Sequence, residues 1–115
     1  MNRTKIISWN VNGIRAIIKK DFLKDIKEIN PDIICLQETK AGEEDALKAL
    51  EVMDGYYLHV NSSKTRKGYS GTAIISKKKP LKIINDIGVD IHDQEGRVIL
   101  YENDDFNLVN VYVPN

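Results

Sequence analysis

Five residues stand out as able to do chemistry together: Asn10, Asn12, Glu38, Lys40 and Tyr112. Glu38 and Lys40 follow directly on the apolar run Ile33-Ile34-Cys35-Leu36. A carboxylate and an ammonium placed where a buried strand stops are held rigidly at the rim of a core, the usual mounting for a binding or catalytic group. The competing reading is that they are simply the first solvated residues after a strand. Asn10 and Asn12 follow the strand-like stretch Ile6 to Trp9 in the same way. Asn10, Asn12 and Glu38 offer oxygen donors, and an oxygen-rich site with few protein ligands and several retained waters suits Mg²⁺ or Mn²⁺. A phosphate-bearing substrate would supply further oxygens, and the metal would offset the charge that builds up during phosphoryl hydrolysis. Tyr112, near the end of its strand, carries a phenol that can donate to a phosphate oxygen, although strand tyrosines also serve as packing. Gly68-Tyr69-Ser70-Gly71 places an aromatic ring just after Lys64, Arg66 and Lys67. That combination suits a nucleic-acid backbone, with a plain hairpin turn as the alternative. His59 and His92 form no nucleophile and base pair, and Ser70 has no triad context, so serine-type hydrolysis has no support.

The elements that must position these residues can be read from periodicity. Thr4 to Trp9 reads as a strand ending in the turn Asn10-Val11-Asn12-Gly13. Ile14, Ile17, Ile18, Phe22, Ile26 and Ile29 recur at helical spacing among charged residues, with Asp21 as the cap of a second helix if the segment breaks there. Asn30-Pro31 ends it. The run from Ile33 is apolar throughout, as expected for a strand buried on both faces. Strand, helix and strand make a βαβ unit, whose parallel strands bring Asn10, Asn12 and Glu38 to one sheet edge. Ala41 to Met53 reads as a short helix closed by Asp54-Gly55. Tyr56–Val60, Thr72–Ser76, Leu81–Ile84, Val98–Tyr101 and Phe106–Val113 read as strands joined mainly as antiparallel hairpins, with Asp104-Asp105 at a turn. The last of these runs straight into Pro114-Asn115, so the sequence reads as a domain cut short.

A chain of 115 residues with 42% hydrophobic and 30% charged residues is that of one small globular domain. Acidic and basic residues balance at 17 each, so net charge points to no particular partner. Their distribution does. No acid occurs between Asp54 and Asp86, an interval holding Lys64, Arg66, Lys67, Lys77, Lys78, Lys79 and Lys82, which makes a local basic surface. Cys35 is the single cysteine, which excludes an intrachain disulfide and a cysteine metal cluster and fits a reducing compartment. The N-terminus lacks the long apolar segment of a signal peptide, and no stretch is long enough to span a bilayer, so a cytoplasmic location without membrane contact is expected.

Ser8-Trp9-Asn10-Val11-Asn12-Gly13-Ile14-Arg15-Ala16, Leu36-Gln37-Glu38-Thr39-Lys40, Gly68-Tyr69-Ser70-Gly71, Asp93-Gln94-Glu95-Gly96-Arg97-Val98 and Val111-Tyr112-Val113-Pro114-Asn115 resemble, in order and spacing, the N-terminal half of the exonuclease III family of apurinic/apyrimidinic endonucleases. Leu-Gln-Glu alone would fit the wider endonuclease/exonuclease/phosphatase superfamily; five motifs in register point to its DNA-repair branch. The resemblance implies an α/β fold, the N-terminal half of a four-layer α/β sandwich, with one mixed β-sheet and flanking helices and the second sheet absent. It implies Glu38 as carboxylate ligand of a catalytic Mg²⁺ and Asn10 in the same site, orienting the ligands or the metal-bound water. Asn12 stands where some relatives carry Asp. Lys40 would lie beside the metal, Tyr112 would contact the scissile phosphate, and Asn115 would line the same cleft. Tyr69, Arg97 and Arg15 look like DNA contacts. The implied reaction is Mg²⁺-dependent phosphodiester hydrolysis 5′ to abasic sites in double-stranded DNA, with 3′→5′ exonuclease action at 3′ ends, in the nucleoid of a bacterium or the nucleus of a eukaryote. The family's Gly-Asp-x-Asn segment and C-terminal Asp-His pair are not in these 115 residues, so little or no nuclease activity is expected of them alone. The alternatives are a non-catalytic half-domain that binds DNA or pairs with a complementary C-terminal half, and a phosphatase or ribonuclease of the same superfamily.

Overall fold

A computed structural model describes residues 3–88 and 94–113. The chain opens with β1 (Ile6–Asn10), two short helices, α1 (Ile14–Ile18) and α2 (Phe22–Ile29), and β2 (Ile33–Gln37). On α2, Phe22 and Ile26 are buried while Lys24, Lys27 and Glu28 face solvent, the stripe expected of an amphipathic helix. It stops at Asn30, whose left-handed conformation (φ 50°, ψ 57°) turns the chain into the buried Pro31. Asp21 does occupy the N-cap position, but its side chain makes no capping bond. The reason is conformational: its φ of −91° and ψ of 12° are not the extended geometry that aims a cap side chain at the first-turn amides. Next come α3 (Glu43–Leu50), β3 (Tyr57–Asn61), β4 (Thr72–Ser76), β5 (Lys82–Asn85), β6 (Val98–Glu102) and β7 (Asn107–Val111). Asn103 Oδ1 accepts from the amides of Asp105 and Phe106 at 2.9 Å each, forming the turn between β6 and β7 around Asp104-Asp105.

The strands form two sheets. The first is mixed, in the order β1-β2-β4-β3, with β1 and β2 parallel and the other pairs antiparallel. The second is an antiparallel meander, β5-β6-β7. The α/β class and the mixed sheet with flanking helices agree with the sequence reading, but the expectation that a second sheet would be absent is corrected. The hairpins after β4 do not extend the first sheet: they bury their own inner face against it, through Ile99 and Tyr101. β7 packs over β2 and β4, and β6 over β4 and β3.

Two cores result, one on each face of the first sheet. On the helix side Ile34, Leu36, Ala73 and Ile75 meet Ile14, Phe22, Ile26, Ala46 and Leu50, and Trp9 stacks on Phe22 at 5.2 Å between ring centroids. Between the sheets Ile33, Cys35 and Ile74 meet Ile99 and Tyr101. β1 lies at the margin, and its Ile6 remains 41% exposed.

His59 on β3 faces the inter-sheet core, its ring 6.5 Å from that of Tyr101 and its Nε2 buried without a partner. Burial lowers its pKa from the ordinary 6.5, because the imidazolium would lose its water. The native imidazole therefore stays neutral at pH values where the unfolded chain takes up a proton, so stability is full above pH 6.5 and falls on acidification below it. Urea unfolding at pH 7.5 and 5.5 is expected to show a lower midpoint in acid that His59→Phe abolishes; an unchanged acid shift in His59→Phe would assign it elsewhere.

Candidate active site

The parallel pairing of β1 and β2 sets Asn10 directly beside Gln37, with Glu38 the next residue. Three loops meet there and are laced by backbone bonds: Gly13 N–H to Glu38 O at 2.8 Å, Ile14 N–H to Thr39 O at 2.9 Å, Thr39 N–H to Gly71 O at 3.2 Å and Lys40 N–H to Ser70 O at 2.8 Å. Asn12, Glu38, Lys40 and Ser70 all have positive φ, at 47°, 57°, 51° and 56°. Each such residue costs roughly 1–2 kcal/mol, and the network holds them. Thr39, between Glu38 and Lys40, is fully buried, while Glu38 lines the cleft. Gly71 (φ 95°) has no room for a side chain, since a Cβ there would lie 2.1 Å from Thr39 Oγ1.

Ser70 contributes strain without visible return: its hydroxyl is buried and unpartnered, and its backbone is left-handed. Ser70→Gly removes both penalties and adds only the entropy of a more flexible unfolded chain. A net gain of about 1 kcal/mol is expected in chemical denaturation; a loss would mean that the hydroxyl has an unseen partner.

The polar side chains are oriented by one another. Asn10 Nδ2 donates to Glu38 Oε2 at 2.5 Å, and its Oδ1 accepts from Asn12 N–H at 3.1 Å. Lys40 Nζ donates to Asn12 Oδ1 at 2.6 Å and stands 3.7 Å from Glu38 Oε1. Asn12 thus faces Lys40, and Asn10 fixes the carboxylate. Tyr112, at the end of the second sheet, lines the same cleft as Glu38. Burial, then the neighbouring Glu38 carboxylate, raises the phenol's pKa above 10, while Arg97 opposes the shift. Tyr112 is accordingly a neutral donor throughout the physiological range. A cleft of about 280 Å³ opens between Asn10, Gln37, Glu38, Val111, Tyr112 and Val113. Among the described residues Glu38 is the one carboxylate lining it.

The second sheet is locked in place by the turn before β6. Tyr112 N–H donates to Arg97 O at 2.8 Å, Thr72 Oγ1 to Gly96 O at 2.9 Å, and Lys64 N–H to Gln94 O at 2.7 Å. Arg97 is ion-paired with Glu95, which partly neutralises its charge. Arg15 stands on the first turn of α1, 3.8 Å from Asp45, with its other guanidinium nitrogen 3.5 Å from Lys40 O. Tyr69 lies on the loop joining β3 to β4, under the Arg66 guanidinium at 4.9 Å from the ring centroid. Asn115, like His92 and Asp93, lies outside the described residues. Sequence reasoning brought Asn10, Asn12 and Glu38 to one sheet edge, and the family resemblance added Lys40 and Tyr112. The structure places Asn10, Asn12, Glu38 and Lys40 in one bonded chain, with Tyr112 on the same cleft as Glu38. Sequence reasoning did not single out Arg66 as the ring's partner, although Arg66 and Tyr69 were read in one basic and aromatic stretch. It also passed over Gln37 and Asn110 on the floor between the sheets.

No group of three or more His, Cys, Asp or Glu side chains among the described residues could cage a metal. One oriented carboxylate in an open polar cleft instead fits a hard divalent ion that keeps most of its waters.

The profile of the Endonuclease/Exonuclease/phosphatase family matches residues 7–115. The chain is 52% identical over 112 residues to an exodeoxyribonuclease of Bacillus subtilis (strain 168), covering 96% of this chain and 43% of that protein. It is 44% identical over 114 residues to a DNA-(apurinic or apyrimidinic site) endonuclease of Dictyostelium discoideum, covering 99% and 31%. An AP endonuclease from Archaeoglobus fulgidus superposes with a TM-score of 0.83 at 31% identity, covering 97% of this chain and 42% of that one. The chain thus spans less than half the length of these relatives. Sheet, cleft and family profile agree: the chain belongs to the endonuclease/exonuclease/phosphatase family.

Proposed function

We propose that these residues form the metal- and phosphate-binding half of a DNA-repair nuclease that hydrolyses the phosphodiester 5′ to an abasic site and removes nucleotides from 3′ ends. The observation that carries this reading is the meeting of Glu38, held by Asn10, with the phenol of Tyr112 across the gap between the sheets. Similarity to an exodeoxyribonuclease of Bacillus subtilis and a DNA-(apurinic or apyrimidinic site) endonuclease of Dictyostelium discoideum supports DNA as the substrate class.

Glu38 would hold Mg²⁺, with Mn²⁺ as a substitute, and Asn10 keeps its carboxylate turned to the cleft. The bound ion would polarise a phosphoryl oxygen and offset the charge developing on it. Tyr112, which shares the cleft with Glu38, would donate to a phosphate oxygen when substrate enters. Lys40 is bonded to Asn12, which keeps its ammonium beside the carboxylate and available to a phosphate without full neutralisation. Tyr69 with Arg66, Arg97, Arg15 and Asn115 would contact the DNA on either side. With Glu38 the one carboxylate lining the cleft among the described residues, the general base must come from elsewhere in the protein or from a complementary half.

The test is a duplex oligonucleotide carrying one abasic-site analogue, assayed with Mg²⁺ and with EDTA, using this chain and Glu38→Ala. Salt-sensitive binding of the abasic duplex with little incision is expected of the chain alone. Mg²⁺-dependent incision lost in Glu38→Ala would uphold the nuclease reading and show that the half-site suffices. Equal binding of abasic and intact duplex, or incision indifferent to Glu38, would overturn it.

A further inference from the structure

Asn110 is an anomaly in its surroundings. The inter-sheet core around it is apolar, made by Ile33, Cys35, Ile74, Ile99 and Tyr101, yet Asn110 is only 3% exposed. Its amide is almost fully employed. Nδ2 donates to the carbonyls of Leu36 on β2 and Ala73 on β4, at 3.0 and 2.8 Å, while Oδ1 accepts from Gln37 Nε2 at 2.8 Å. The same Gln37 nitrogen lies 3.0 Å from Ser8 Oγ on β1. One side chain of the second sheet is thereby bonded to adjacent strands of the first.

Apolar contact between sheets is non-directional and tolerates sliding. A buried amide whose bonds are met in only one alignment does not, which is the best-attested use of a buried polar group. The placement matters: Gln37 immediately precedes Glu38, and Asn110 stands two residues before Tyr112, so the chemically important side chains come from the two backbones the amides tie together.

We propose that Asn110 and Gln37 form a register latch, a pair of positioning residues that aligns β7 on β2 and so brings the Tyr112 phenol onto the Glu38 carboxylate. Its relevance to catalysis rests on the nuclease reading above; the alignment itself does not. The latch acts through Tyr112 and Glu38.

Asn110→Leu keeps the side chain's size and removes its polar bonds; Gln37→Met does the same from the other side. The readout is the nuclear Overhauser contact between the Tyr112 ring and the Glu38 side chain in the ¹³C-labelled chain, beside contacts between Ile99 and Cys35 that report the core. The latch predicts that both variants keep the Ile99–Cys35 contact and lose the Tyr112–Glu38 contact. A Tyr112–Glu38 contact of unchanged intensity in either folded variant overturns it. If Asn110→Leu fails to fold, Gln37→Met decides alone by the same criterion. Titration of the wild-type chain with Mn²⁺ separates the two ideas: absence of paramagnetic broadening at Glu38 and Tyr112 would remove the metal-site reading and leave the contact test of the latch as it stands.

Discussion

Gly96→Ala is expected to lower the thermal midpoint by roughly 10 °C, corresponding to about 3 kcal/mol in a domain of this size. A Cβ at position 96 would stand 2.5 Å from the carbonyl carbon of Ser62 and 2.6 Å from Asn61 O, and the backbone there has a φ of 62°. Both obstacles are main-chain atoms at the end of β3 and immediately after it, so no side-chain rotation relieves them. The turn must instead move outward, which lengthens the bonds of Gly96 O with Thr72 and of Gln94 O with Lys64. Burying Thr72 without its acceptor adds about 1–3 kcal/mol. Gly55→Ala is the control: its φ is 84°, but nothing lies within 4 Å of the new methyl, so only the backbone penalty of about 1 kcal/mol should appear. Calorimetry on the two variants separates the terms, and equal midpoints would show that the close approach at Gly96 is not real. Because Arg97 O holds Tyr112 N–H, Gly96→Ala should also disturb the cleft, not only the melting point.

Glu38→Gln is expected to weaken divalent-cation binding by about tenfold or more, as the loss of the site's formal negative charge requires. The amide oxygen can still accept from Asn10 and the residue can keep the left-handed backbone, so the effect isolates charge from shape. Stability should change little, since the exposed pairing with Lys40 at 3.7 Å contributes under about 1 kcal/mol. Water-proton relaxation of Mn²⁺ in the presence of each chain gives the affinity, and near-ultraviolet circular dichroism checks the fold. Unaltered Mn²⁺ affinity in Glu38→Gln would place the ion elsewhere. If the proposed nuclease function holds, the same change in the complete protein should reduce incision about 10²–10³-fold, the cost commonly seen when a preorganised electrostatic group at a phosphoryl or acyl centre is removed.

The Asn10–Glu38 part of this picture was legible in the sequence because its signals are local. An apolar run from Ile33 to Leu36 identifies a doubly buried strand, the helical spacing from Ile14 to Ile29 makes its connection to β1 a crossover, and parallel pairing then forces Asn10 next to Glu38. The second sheet was harder. Alternation along β5, β6 and β7 announces hairpins but carries no label for the sheet they join, which depends on whether Ile99 and Tyr101 find a partner face in β2 and β4. Asn110 was hidden for a related reason. In an alternating strand an asparagine reads as an outward residue, and only the carbonyls of Leu36 and Ala73 across the gap reveal that it points inward. Thr39, between two polar neighbours, gave no hint of being the buried one.

The separation of the two cores leaves each with its own reporter. The single tryptophan, Trp9, stacks on Phe22 beneath the helices, and the single cysteine, Cys35, lies between the sheets with its thiol pushed up to about 11 by burial. Fluorescence therefore follows the helical layer, while alkylation, which needs a thiolate that the folded interior suppresses, follows the opening of the sheets. No label need be introduced to ask whether the two layers come apart together or one after the other.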